Sequence, residues 1–196
     1  MSYIERKELF SLVEEKRRLT AAQKFMIWVA LGVMTMFFAA FTSAYIVRMA
    51  EGHWETFALP QIYLYSTITI LISSLTLWQA HRLIKHDEVE KSRVWLLLTF
   101  LLGAAFLIMQ WMGFVDMVSR GIYFVGHVAG SYVYVLAAMH ALHVILGLGF
   151  IAYVLIASFR YKVNARRDVA IYVTSVLWHF LAALWLYLYL FMRLTR

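Results

Sequence analysis

No cysteine occurs among the 196 residues, which removes disulfides, thiolate zinc sites, iron–sulfur clusters and covalently attached c-type haem together. Any metal bound by this chain would depend on histidine. Proline occurs once, at Pro60, so no long apolar run is interrupted by it and the broken helices that build many transporter sites are not expected. Charge is sparse as well, at 15% of residues, and it lies in short islands between apolar runs. The net charge of +7 is therefore read as orientation in a membrane, and nucleic acid is not an expected partner. The first 24 residues lack a continuous apolar core, so no cleavable signal peptide is expected and the first spanning helix would direct insertion.

What is present is hydrophobic surface, 63% of residues with a mean hydropathy of +0.73, more than a soluble domain of this length can bury. Five apolar runs, 25–47, 62–84, 94–118, 128–159 and 169–192, each reach the ~20 residues that a spanning helix needs. The expected fold is all-α, a polytopic membrane protein with a bundle of five transmembrane helices. It divides into a cytoplasmic segment, 1–24, and a single transmembrane domain, 25–193. The fourth run is long enough to require tilt or an extension beyond the bilayer.

Local signals suggest where the helices begin. Thr20 with Gln23, and Asp87 with Glu90, have capping-box spacing ahead of the first and third spans. Pro60 falls where the first turn of the second helix would begin, a position at which its missing N–H costs nothing. Leu9, Leu12 and Val13 recur at helical spacing in a charged background, which fits either an amphipathic surface helix or a solvated leader. Trp54, Trp95 and Trp111 lie near span ends, as an aromatic belt would.

Polar groups at membrane depth are costly, so they are the first candidates for function. Gln110 in the third span, His140 and His143 in the fourth and His179 in the fifth form this set. Haem b or another metal held by the histidines is one reading. Neutral histidines hydrogen-bonding between helices is the other, favoured because two histidines three apart on one helix cannot ligate opposite faces of one haem. No Asp, Glu, Lys or Arg occupies the centre of any span, Asp116 falling near the end of the third. Proton pumps and ion-coupled transporters need such groups, so this chain alone is not expected to pump. Small residues at Ser73, Ser74, 103–105, Ala137, Ala138, Ala141, Gly147 and Gly149 would allow helices to approach closely.

These residues carry a family resemblance. Trp28, 36–39 and 43–45 in the first span, Leu59-Pro60 and 73–76 around the second, and 95–99 with Gly103, Phe106-Leu107 and Gln110 in the third form its first part. Residues 130–136, His140-Ala141-Leu142-His143-Val144 and Gly147-Leu148 follow in the fourth span, with Trp178-His179-Phe180 and Trp185 in the fifth. The pattern resembles subunit III of the haem–copper terminal oxidases, the cytochrome c and quinol oxidases, in its five-helix bacterial form.

The resemblance implies a non-catalytic subunit of an aerobic respiratory oxidase in a bacterial inner membrane, packed on core subunit I and other oxidase subunits. The haem and copper would then sit in partner subunits, with no cofactor or metal on this chain and phospholipid bound between its helices. Its implied role is to sustain oxygen reduction and proton uptake, with His140, His143 and His179 serving packing. Three positions depart from the family pattern: Met34 and Gly113 stand where it has glutamates, and Ala182 where an aspartate follows Trp-His-Phe. They mark a divergent paralogue and put direct proton handling in doubt, with a second subunit III-like chain or a respiratory supercomplex as a further partner. Cytochrome c and quinol stay open as electron donor, and a haem b anchor and a small transporter remain the other function classes.

Fourteen of the 18 basic residues lie in the N-terminal segment and in the loops after the second and fourth spans. Basic loops stay in the cytoplasm, which places the N-terminus inside and the C-terminus outside. A reporter active only outside the cytoplasm, fused after Arg196, should be active, and the same reporter inserted at 160–167 should be silent. The opposite pattern would invert the topology.

Overall fold

The computed structural model describes residues 3–52, 54, 57–86, 88–126, 128–159 and 169–195, with side chains from Thr20 onward. Regular structure among them is entirely helical: α1 Tyr3–Ala50, α2 Ile62–Lys85, α3 Val89–Ser119, α4 Val128–Phe159 and α5 Val169–Leu194. All five are long and apolar enough to cross a membrane. The chain is a multi-pass, all-α membrane protein. At ~1.5 Å per residue, the 32 residues of α4 reach about 48 Å, well beyond a hydrocarbon core of ~30 Å.

The helix starts differ from expectation in three places. Thr20 and Gln23 lie inside α1, which runs unbroken from Tyr3 into the apolar span. The leader has no glycine or proline and is rich in Glu, Lys, Arg and Leu, good helix formers that give the backbone no reason to stop. The amphipathic pattern of Leu9, Leu12 and Val13 falls on side chains outside the described residues. Pro60 precedes the N-cap of α2, Gln61, and its carbonyl accepts from Tyr63 N–H at 3.2 Å, so it shapes the approach to the helix and not its first turn. The N-cap of α3 is Glu88, without a side-chain capping bond, while Asp87 lies outside the described residues. Glu88 instead pairs with Lys91 at 2.8 Å, a hydrogen bond that holds its carboxyl below the ordinary range.

α3 ends where Gly121 takes φ +77°, a left-handed conformation that suits a residue without Cβ. Gly121 N–H then reaches Val118 O at 3.0 Å and Ile122 N–H reaches Met117 O at 3.0 Å, closing the helix with a Schellman pair over two buried side chains.

Helices α2, α3, α4 and α5 pack in sequence, and α5 returns against α2, closing a four-helix ring of antiparallel neighbours. α1 lies outside that ring, against α4 and α5. Of the apolar window of each helix, 50% is buried in α5 and 22% in α1, which identifies α5 as the central element. Some hydroxyls inside the spans bond back to their own helix: Thr67 donates to Tyr63 O at 2.7 Å and Thr99 to Trp95 O at 2.7 Å, while the buried Thr174 hydroxyl on α5 has no partner among the described residues.

Close approach centres on Trp178. A Cβ at Gly103 would lie 2.7 Å from its Cη2, and one at Gly147 would lie 3.0 Å from its Cε3. The expected role of small residues thus holds at Gly103 and Gly147, while Gly149 faces open space. Gly103→Ala should destabilise the protein by about 1–3 kcal/mol, as overpacking of a filled core does. Gly149→Ala should be neutral or stabilise the protein by up to about 1 kcal/mol, because a helical alanine loses less backbone freedom than glycine and nothing lies in its way. Thermal unfolding of both variants in detergent tests the difference.

Candidate functional site

The polar side chains of the bundle concentrate on the α2–α5 seam. Ser66 and Ser73, and Thr67 and Ser74, are seven apart on α2, and Trp178 and Trp185 are seven apart on α5. That repeat keeps each set on one face of its helix. Trp178 Nε1–H donates to Ser73 Oγ at 3.2 Å, and Trp185 Nε1–H to Thr67 Oγ1 at 3.0 Å. Beside these, His179 Nδ1 pairs with Ser74 Oγ at 2.6 Å, and His81 Nδ1 with Ser175 Oγ at 3.2 Å. Four polar rungs therefore join two antiparallel helices.

The network extends to α3. Ser73 donates to Thr99 O at 3.1 Å, Thr76 and Thr99 share a hydroxyl contact at 2.9 Å, and Gln110 Nε2–H donates to Ser66 Oγ at 2.9 Å. Gln110 Oε1 has no hydrogen-bond partner among the described residues.

The three histidines of the candidate set occupy separate places. His140 is fully buried, stacked on Trp185 at 5.1 Å and met edge-on by Phe106 at 5.9 Å and Phe38 at 6.3 Å. Neither of its ring nitrogens has a hydrogen-bond partner among the described residues, in contrast to the expected interhelical bond. His143 Nδ1 pairs with Met139 O of its own helix at 2.7 Å, and its ring approaches Phe38 on α1 at 5.7 Å. His179 faces α2, whose backbone makes no close approach to that of α4. It sits six residues before Trp185, about 9 Å along the axis from the level of His140. Among the described residues no three His, Asp or Glu side chains converge on a metal position. A haem fits this arrangement poorly, because no two of the candidate histidines oppose each other across an open slot.

The positions that depart from the family pattern are also placed. Met34 packs at the rim of the core and Ala182 is buried in α5. A Cβ at Gly113 would lie 2.7 Å from Tyr63 Cζ and 3.0 Å from its hydroxyl. The buried Tyr63 phenol, bonded to Met117 S at 3.7 Å, thus fills the space an acid at 113 would require. Tyr63, Thr67, Thr99, Ser175 and His81 take part in this network without having stood out individually in the sequence. The seven-residue repeats on α2 and α5 were the available signal.

Of the belt tryptophans, Trp54 sits against Tyr45 at 4.6 Å and near Tyr132 at 6.3 Å, while Trp111 is exposed.

These features define a class, an all-helical multi-pass membrane protein in which hydroxyls, indoles and imidazoles link helices within the bundle. Comparison with known proteins supplies the family. The model of "Cytochrome c oxidase subunit III" matches residues 16–195. Cytochrome c oxidase subunit 3 of Bacillus sp. (strain PS3) is 29% identical over 182 residues, covering 90% of this chain and 87% of that protein. Its counterpart from Bacillus subtilis (strain 168) is 29% identical over 189 residues, with 93% and 91% covered. That of Gadus morhua is 30% identical over 164 residues, with 79% and 60% covered. The chain belongs to the cytochrome c oxidase subunit III family.

His140→Phe keeps a flat ring against Trp185 and removes two buried nitrogens without partners. It should leave the protein as stable or stabilise it by about 1 kcal/mol, since an unsatisfied buried polar group carries a cost of ~1–3 kcal/mol. His179→Ala, which breaks a rung, should cost about 0.6–2 kcal/mol. Unfolding curves in detergent read both. A large loss on His140→Phe would show that its imidazole has a polar partner.

Proposed function

We propose that this chain is the non-catalytic subunit III of an aerobic terminal oxidase, carried in a bacterial cytoplasmic membrane with its N-terminus inside. The family match across residues 16–195 carries this reading. In it, the chain packs on the core subunit, which holds the haem and copper centres where oxygen is reduced. Its own residues bind no cofactor, and phospholipid fills grooves between its helices. Gln110, His140, His143 and His179 serve the packing of the bundle. The intramembrane chemistry supports a supporting role, because hydroxyls, indoles and neutral imidazoles can hold helices together but cannot accept electrons from a donor.

With Met34, Gly113 and Ala182 in place of acids, the contribution to proton uptake is smaller than the contribution to endurance of the core. Tyr63 strengthens that ranking, since it occupies the volume beside Gly113. Oxidase purified without this chain should start at a normal rate of oxygen consumption, with haem and copper content unchanged, and then lose activity faster during turnover. Oxygen uptake against time for the two preparations is the measurement. Equal lifetimes and equal pH profiles, or an oxidase that never contains the chain, would overturn the proposal.

A further inference from the structure

The outward surface of the bundle is apolar along most of its described length. Val29 and Val33 on α1, Leu97 and Leu101 on α3, and Leu142 and Ile145 on α4 all stand exposed, as lipid contact requires. The α2–α5 seam breaks that pattern. An open crevice of about 430 Å³ lies there, lined by Ser74, Leu75, Trp78 and His179. His179 is the eleventh residue of α5, about 16 Å from its start at ~1.5 Å per residue, a depth inside the hydrocarbon. The bond from Nδ1 to Ser74 Oγ at 2.6 Å fixes the ring, and Nε2 has no partner among the described residues.

His179 is only partly buried and lines the crevice, and at this depth the lipid is a solvent that can neither donate nor accept a hydrogen bond. Polar side chains in spans nearly always face protein or a watered cavity for that reason. Leu75 and Trp78 give the crevice an apolar, exposed rim, and the Arg82 guanidinium lies 5.8 Å over the Trp78 ring toward the helix end. An acyl chain would match the rim and leave Nε2 bare. A helix carrying one polar side chain among apolar ones meets both.

We propose that a transmembrane helix of a neighbouring oxidase subunit lies along this crevice and offers His179 Nε2 a hydroxyl, carboxamide or carboxyl group. The proposal rests on the reading of the chain as an oxidase subunit. The test places p-benzoylphenylalanine at Leu75 and irradiates the intact purified oxidase, whose haem spectrum confirms assembly. A covalent adduct between this chain and another oxidase subunit is expected. Adducts to lipid alone, or no adduct to any polypeptide in an oxidase that contains the chain, would overturn the crevice as an interface. Absence of the chain from the purified oxidase would instead sink the functional reading beneath it. The hydrogen bond is tested separately by retention through detergent washing. His179→Phe should lower the chain retained per haem at least threefold, and His179→Gln, which keeps a polar group at the site, should restore it. Full retention of His179→Phe, or equal loss for both variants in chains that still unfold cooperatively, would overturn the polar contact.

Discussion

An indole N–H buried inside a bilayer has no water to bond with, so it either finds a partner on a neighbouring helix or the helices do not pack. Trp178 meets this condition by donating to Ser73 on α2 while its ring lies against Gly103 on α3 and Gly147 on α4. One side chain on α5 thus touches every other member of the four-helix ring. Trp185 repeats the arrangement one heptad later with Thr67, Phe106 and His140. Much else follows from these two residues. Glycines are needed where the Trp178 ring lies, hydroxyls are needed opposite each indole, and α5 must run through the middle.

Lipid also explains which polar groups the interior uses. Serine and threonine can be satisfied within their own helix and still share an oxygen lone pair with a neighbour, as Thr67 does with Tyr63 O and Trp185. Such neutral contacts are each worth only ~0.6–2 kcal/mol, but they impose no penalty for burying charge. Among the described residues, ion pairs appear only near helix ends, at Arg48 with Glu51, Glu88 with Lys91 and Asp116 with Arg120. The result is a bundle whose register is specified by hydrogen bonds between neutral groups.

The five spans were legible because hydrocarbon thickness imposes a minimum apolar length, and the bounds of α4 and the start of α5 fall where hydropathy places them. The start of α1 was not, because a capping-box spacing at Thr20 competes with a leader that has no helix breaker. Pro60 shows the same limit, since one residue separates the turn from the N-cap and spacing cannot resolve that difference. Among the candidate residues, Gln110, His140, His143 and His179 could be picked out by their depth alone. Their partners could not, because a hydrogen bond between helices depends on rotation about each axis.

The sequence by itself determined that this is a five-span membrane chain without a charged or thiolate centre, and it carried the family pattern through all five spans, most specifically in the last two. Those properties depend on composition and length, which lipid reads directly. Only the tertiary structure decided that His140 is enclosed by rings while His179 bonds Ser74 beside an open crevice, and that Tyr63 fills the space beside Gly113. Residues at one depth on an apolar helix look alike until packing assigns each a neighbour, and that assignment is made between helices distant in the chain.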